Sequence, residues 1–459
     1  MKIDRGFTEA SQRSTSLTGV SLCDILCEAP VRSTPTLVLI LTINHPWYDS
    51  RVFFRVVKSL QKKDVHIHLI TACPTNKADF PIEDNFSFEI LKSKNKYSII
   101  LNFILLGLKM KPDIIICVEP LTLISGLVLK RLINFGRGKP RPYDTGRSTL
   151  RPYKPIGNRH YDCRIVYDCH EYYSEAFDEK IKGFAPLYWA FESYFACRFD
   201  SIITVNDILV QQFKKINKHV FLCANLPSIE IFDENISEKI YDLIYSGQLS
   251  FERGLKTYLK TAKLFKINNK EFNLLIIGSF KNKISEKYFF DYIKFHQLEN
   301  IVTYKAYLPI KEVLKDIKLS KIGIFVGDKI LSPRYNKAIS MKILEFLSQN
   351  VPVIVNDLDM LKEFVEKSQG GWVIGNVKCK MKNETRRGDV PIASKNGTWG
   401  HVPYRCESHE LYNLLNEVLN DERLLNEKGK KGFEFLKGNM FWEMQERALY
   451  EAVFVKWKT

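Results

Sequence analysis

The 459-residue chain contains no run of the roughly 18 or more apolar residues that a membrane-spanning helix requires. That excludes an ordinary transmembrane segment. The nearest run, YSIILNFILLGL at 97–108, has the length of a core or interfacial helix and is flanked by Lys92, Lys94, Lys96, Lys109 and Lys111. Those basic flanks leave an anionic membrane surface open as a partner. No N-terminal apolar run has the length and charged flank of a signal peptide. Ten cysteines are scattered without a single C-x-x-C pair, so the zinc-ribbon and thioredoxin-type spacings are absent. Cys117 in IIICVEP and Cys223 in FLCANLP lie in apolar runs, where a free thiol packs as a small hydrophobe. Cys163, Cys169 and His170 are neighbours in sequence but fit no standard zinc pattern. The expectation is a reduced, cytoplasmic protein with no bound metal or cofactor, peripheral at most on the inner membrane face.

Acidic residues are the scarcer charge. Asp and Glu number 52 against 68 Lys and Arg, a formal net charge of +16. Nucleotide phosphates or an acidic membrane would be attracted, although solubilising surface lysines give the same excess. Nucleic acid is not expected, because no stacked aromatic platform or recognised module accompanies the charge. A hydrophobic fraction of 45% and a charged fraction of 26% are ordinary globular values.

From Thr36 onward a strand-then-helix rhythm begins. LVLILTI (37–43), VHIHLITA (65–72), DIIICV (113–118), RIVYD (164–168), SIITV (201–205) and HVFLCA (219–224) read as buried strands. Helical spacing falls at 50–60, 97–110, about 121–133, 184–198 and 206–215. A second series follows: YDLIYSG (241–247), NLLIIGS (273–279), NIVTYKAY (300–307), KIGIFVG (321–327), PVIVND (352–357) and GWVIG (371–375). Such alternation predicts α/β architecture with parallel sheets covered on both faces, and ligands at the carboxyl ends of the strands. The expected division is a loose leader at 1–34, a Rossmann-like half at 35–228, a second at 229–437, and a final helical segment at 438–459. Residues 136–163 and 376–406, dense in Arg, Pro and Gly, interrupt the rhythm and read as surface insertions.

Four stretches carry chemistry. NHPWYDSRV (44–52) opens a βα loop whose helix start Asp49 or Ser50 could cap, beside Arg51; an ordinary capped turn reads the same. YDCHEYYSE (167–175) gathers Asp168, His170, Glu171 and Glu175 at a strand end, suited to acceptor binding or proton handling, or merely to a polar loop. YSGQLSFERGL (245–255) runs a buried strand into Gly247 and then sets Arg253 and Gly254 at a helix start, a natural diphosphate site and equally a plain turn. In SPRYNKAISMKILEFLSQNVPVIV (332–355), Ile339, Ile343, Leu344 and Leu347 form an apolar helix face, with Lys342, Glu345 and Gln349 opposite. Those polar residues either form a solvated face or border a cleft. DLD at 357–359 looks like a D-x-D metal motif in an unsuited place.

The order of DSRV, YDCHE, SGQL…RG and MKILEFLSQNVPVIV across two Rossmann-like halves resembles the family 4 glycosyltransferases of GT-B fold. The likeness spans about 36–135, 164–375 and 407–457. It implies two domains facing across a cleft, with the last helix crossing back to the first. It further implies a nucleotide-sugar donor held mainly by the second half and a glycan or lipid-linked acceptor mainly by the first. Transfer would be metal-independent with retained anomeric configuration. By this resemblance Arg253 meets the donor diphosphate and Glu345 the ribose, while His170 lies near the reacting sugar. Gly247, Gly254, Gly278 and Lys342 complete the expected donor site. Asp49, Ser50, Arg51 and Glu171 join His170 on the acceptor side, and His170, Arg253 and Lys342 are the catalytic candidates. Two positions depart from the pattern: Lys337 stands where the first Glu of E-x7-E belongs, and Gln248 where a second diphosphate-binding Arg is common. A nucleotide-sugar epimerase of the same fold and a non-catalytic sugar-nucleotide-binding protein are the alternatives.

Overall fold

The computed structural model describes residues 35–73, 84–93, 95–137, 162–179, 181–235, 237–328, 333–375 and 404–455. The leader and nearly all of both expected insertions lie outside these residues.

The first lobe contains β1 (Thr36–Thr42), α1 (Val52–Val57, π-helical), α2 (Lys58–Gln61), β2 (Val65–Thr71), β3 (Phe86–Ile90), α3 (Lys96–Met110) and β4 (Ile114–Cys117). It continues with α4 (Thr122–Arg137), β5 (Arg164–Cys169), α5 (Tyr173–Asp178), α6 (Ala185–Ala196), β6 (Ser201–Thr204), α7 (Asp207–Lys214) and β7 (Val220–Leu222). The strands form one parallel sheet of seven in the order β3-β2-β1-β4-β5-β6-β7. β1, β4, β5 and β6 are apolar and buried almost end to end, as helices on both faces demand. β3 and α5 are absent from the sequence-derived strands and helices. β3 is a short edge strand with polar Ser87 and Glu89, and α5 is a six-residue helix with no fully buried residue.

The second lobe contains β8 (Tyr241–Ser246), α8 (Leu255–Ile267), β9 (Leu274–Ile277), α9 (Lys283–His296), β10 (Val302–Lys305), α10 (Ile310–Lys318), β11 (Ser320–Phe325) and α11 (Met341–Ser348). Then follow β12 (Val353–Asn356), α12 (Asp359–Ser368), β13 (Gly371–Ile374), α13 (Tyr404–Val418), α14 (Glu422–Asn439) and α15 (Glu446–Phe454). Its six strands are again parallel, ordered β10-β9-β8-β11-β12-β13. Each sheet therefore reverses strand order once, at β1/β4 and at β8/β11, and opens a crevice at those carboxyl ends.

α15 belongs to the first lobe's packing. Leu449, Ala452 and Val453 join the apolar cluster that holds Val38, Ile40 and Val166. The Ala452 carbonyl accepts from Ser201 Oγ at 2.6 Å, and Trp442 Nε1 donates to Ser59 Oγ at 2.7 Å. The resemblance's crossing helix is thus present.

Candidate functional site

At the first sheet's crevice, the loop after β1, the second residue after β4 (Glu119) and the residue after β5 (His170) converge. Asp49 Oδ1 accepts from the backbone N–H of Arg51 at 2.7 Å and of Val52 at 2.9 Å. It thereby caps a helix start wound with wide turns, in which Val56 N–H reaches Arg51 O and Phe54 N–H reaches Asp49 O. Such π-type turns recur at functional sites. Ser50 is exposed, and its carbonyl accepts from Arg55 Nη1 at 2.6 Å. The other oxygen of Asp49 lies 3.2 Å from His45 Nδ1. His45 Nε2 is 3.0 Å from His170 Nε2 and 3.7 Å from Glu119 Oε1. Glu119 is itself fixed by Thr42 Oγ1 at 2.7 Å and the Asn44 N–H at 2.9 Å.

The pair of imidazoles divides its charge. Burial alone would lower the His45 pKa, but the Asp49 hydrogen bond and the charges of Asp49, Glu119 and Glu171 raise it to about 9. Burial, with the neighbouring His45 and Arg51 cations, pushes His170 down to about 3 against the pull of Asp168. At neutral pH His45 is the imidazolium and donates at both nitrogens. Neutral His170 accepts at Nε2 and so carries its proton on Nδ1, a buried atom without a hydrogen-bond partner among the described residues. His45 was not singled out from the sequence; only the juxtaposition of β1 and β5 loops gives it this role.

Arg51 is buried and donates to Asp168 at 2.6, 3.1 and 3.2 Å, to the Cys223 carbonyl at 2.9 Å and to Asn225 Oδ1 at 2.8 Å. Its guanidinium ties β5, β7's exit and the first helix together. Glu171 is exposed at the rim. Cys169 Sγ lies 3.5 Å from Glu192 Oε1, in the core, apart from any His170 contact. The described part of DLD is spoken for: Asp357 pairs with Lys362 at 3.3 Å, and the Asp359 N–H is capped by Asn336 at 2.7 Å.

At the second sheet's crevice, Gly247 after β8 and Gly278 after β9 lie back to back. A Cβ on Gly278 would stand 1.8 Å from the Gly247 carbonyl oxygen, and both residues have positive φ, 137° and 142°. Glycine is required there. A Cβ on Gly247 would in turn meet Lys342 Cε at 2.7 Å, so the Lys342 stem lies along this backbone. Gly254, at φ 79°, starts α8. Arg253 Nε donates to Tyr335 Oη at 2.9 Å, with its guanidinium 5.8 Å from that ring. Tyr245 Oη donates to the Gln248 carbonyl at 2.8 Å, while the Gln248 residue is exposed. Glu345 follows Lys342 by one turn on α11. Burial raises its pKa, offset in part by Lys342 and by Arg55 of the first lobe. Gln349, expected on the polar face, is instead buried with its amide on the Ile231 carbonyl, tying the interlobe connection to α11.

Side chains of the two lobes meet across the crevice. Arg55, which also donates to the Leu226 carbonyl, lies beside Glu345 and 4.0 Å from Met341 Sδ. Lys337 Nζ meets Glu175 Oε1 at 2.6 Å, 5.4 Å from the Tyr172 ring centre. The structure thus brings Gly247, Gly278, Lys342 and Glu345 together, with Tyr245 between the Gly247 position and Arg253, and sets Arg55 of the first lobe beside Glu345. Arg55 was not expected from the sequence, where it looks like one more surface base on a helix.

Residues 228–382 match the sequence model of the glycosyl transferases group 1. The match takes in the described strands β8 to β13 and every residue expected on the donor side. No curated protein matches the sequence significantly. In fold, the whole chain is similar to sucrose-phosphate synthase from Thermosynechococcus elongatus, with TM-score 0.60, 10% identity, and 91% of this chain and 98% of that chain covered. HepE from Anabaena, solved with UDP and glucose, aligns with TM-score 0.59 and 11% identity over 90% of this chain and 98% of that one. WaaG, a glycosyltransferase involved in lipopolysaccharide biosynthesis, aligns with TM-score 0.55 and 12% identity over 90% and 98%. The two lobes therefore have the GT-B fold of these structures.

Proposed function

We propose that the protein transfers a sugar from a nucleotide-diphosphate sugar to a glycan or lipid-linked acceptor, with retained anomeric configuration and without a metal. The observation that carries this reading is the second-lobe cluster. Close-packed glycine backbone at 247 and 278 lies beside Lys342, with Arg253 linked through Tyr245 and with Glu345 one turn on from Lys342, next to Arg55 of the first lobe. A diphosphate leaving group gains negative charge as the glycosidic bond breaks, and fixed cations and N–H groups stabilise that charge. Glu345 is suited to accept from ribose hydroxyls. His170, neutral and an Nδ1–H donor, holds a sugar oxygen rather than taking a proton. The binding of UDP and glucose by HepE makes a uridine nucleotide the first donor to try.

The test is a panel of nucleotide sugars, screened by thermal shift and then by release of nucleoside diphosphate, with the product anomer read by NMR. A stabilising donor that is hydrolysed or transferred with retention is expected. No shift with any nucleotide sugar, or inverted product, would overturn the reading. A nucleotide-sugar epimerase of the same fold is the second reading, its acid and base to be sought around the His45–Asp49–His170 group. Donor isomerised in the absence of acceptor would select that alternative.

A further inference from the structure

His66 and His68 stand two residues apart on β2, in the strand VHIHLIT. Side chains two apart on a strand share a face. Both histidines are half-buried, while Val65, Ile67 and Leu69 are buried on the opposite face. Further along the histidine face, Ile70 is buried with Leu39 and with Phe103 of α3. The face is therefore apolar toward the crevice and polar toward the start of the strand.

β3 completes the polar patch. Its parallel register sets Ser87 beside His68 and Glu89 beside Ile70. β3 is the edge strand of the sheet, and Glu89 is exposed on the same face as Ser87. One hydroxyl serves both imidazoles: Ser87 Oγ lies 2.7 Å from His68 Nδ1 and 3.3 Å from His66 Nε2. A hydroxyl has a single proton, so it donates to one ring and accepts from the other. Two ring nitrogens thus converge on one point of a half-exposed face. Burial and the neighbouring His66 lower the His68 pKa, which keeps that ring neutral, the form that ligates a metal.

We propose that His66 and His68 together bind one divalent transition-metal ion, of the class of Zn(II) and Ni(II), at the outer edge of the first sheet. Neutral imidazole suits such ions, at about 2.0–2.1 Å from each nitrogen for zinc. Rotation of the two rings away from the shared hydroxyl brings both nitrogens onto one ion, and the exposed Glu89 adds negative charge beside it. No group of three or more His, Cys, Asp or Glu among the described residues could hold a metal, so two imidazoles are the protein ligands and water fills the other positions. His68 and His66 precede Thr71, whose hydroxyl donates to the His45 carbonyl at 2.7 Å, by three and five residues. That is roughly 10–17 Å of strand, so the ion lies away from the crevice and takes no part in transfer. It stabilises the folded chain by mass action.

Titration of the full chain with nickel chloride, followed by calorimetry and by NMR of the histidine rings, tests the site. The wild type should take up one equivalent of Ni(II). Substoichiometric Ni(II), which is paramagnetic, should broaden the His66 and His68 ring signals before those of any other histidine. Zn(II) should compete for the same equivalent. His66→Gln/His68→Gln should lose it while keeping the thermal stability and the nucleotide-sugar thermal shift of the wild type. Three outcomes would overturn the proposal: no saturable uptake by the wild type, an equivalent retained by the double-Gln variant, or broadening of other histidines while His66 and His68 stay sharp. The ring signals decide the matter in the wild type alone, whatever the folding of the variant.

Discussion

Lys337 of the second lobe meets Glu175 of the first at 2.6 Å. Lys337 occupies the position at which the family pattern has a carboxylate, and the crevice answers with a carboxylate from the opposite wall. Both side chains are about one-third exposed, so the pair is worth only about 0.2–1 kcal/mol. A double-mutant cycle of Lys337→Ala and Glu175→Ala, read by urea unfolding, should return a coupling in that range that shrinks with salt. Lys337→Glu should weaken donor binding further than Lys337→Ala does, and Lys337→Glu/Glu175→Lys should restore it.

The paired glycines give the sharpest substitution. Gly278→Ala places a methyl group inside contact distance of the Gly247 carbonyl at a backbone angle alanine resists. A loss of roughly 1–3 kcal/mol or more in stability is expected, together with loss of the donor thermal shift. Stability and donor shift equal to those of the wild type would show that the two loops are farther apart than described.

Arg253→Ala and Glu345→Ala should each reduce donor turnover by about 10²–10³-fold, the usual result of removing one fixed group that stabilises the departing charge or holds its carrier. Arg253→Lys should recover part of the loss. Near-normal turnover in both alanine variants would remove these residues from the donor site.

Arg51 and Asp168 behave as one buried unit. Removing either partner leaves a charge without compensation, a change that typically costs about 3–5 kcal/mol. Arg51→Ala and Asp168→Ala are therefore expected to lower the urea midpoint sharply. An effect on acceptor KM alone, at unchanged stability, would return Arg51 to the acceptor-binding set expected from sequence.

His45 makes stability fall at alkaline pH. Its pKa is raised on folding, so its contribution is fully present below the unfolded value near 6.5 and is lost as pH rises through about 9. The size is on the order of 3 kcal/mol. His170 acts in the opposite sense: its depressed pKa makes stability fall as pH drops from 6.5 toward about 3. Urea unfolding between pH 6 and 9 should show the alkaline loss in the wild type and a flatter profile in His45→Asn. A nitrogen-15 spectrum should find the His170 proton on Nδ1 in the wild type and redistributed in the variant.

Both sheets were legible because their strands are unbroken apolar runs separated by helical periods, a pattern that few other arrangements can bury. β3 and α5 were not, since an edge strand with polar residues and a six-residue helix carry too little periodicity. Gly247, Arg253 and Gly254 could be singled out because they lie in one short stretch after a strand. His45 and Arg55 could not. Their partners, His170 and Glu345, lie far along the chain, and only parallel strand order and lobe closure bring the charges within reach. Arg51 and Gln349 look like surface or site residues in sequence but serve as internal ties, a difference that burial alone decides.

The return of α15 to the first sheet has a consequence for synthesis. The wall made by Leu449, Ala452 and Val453 leaves the ribosome only after every strand of the second lobe. Until then, the face formed by Val38, Ile40 and Val166 has lost one of its covers to water. The lobe translated first is thus completed last, and premature termination anywhere in the second half would leave it open and prone to aggregate.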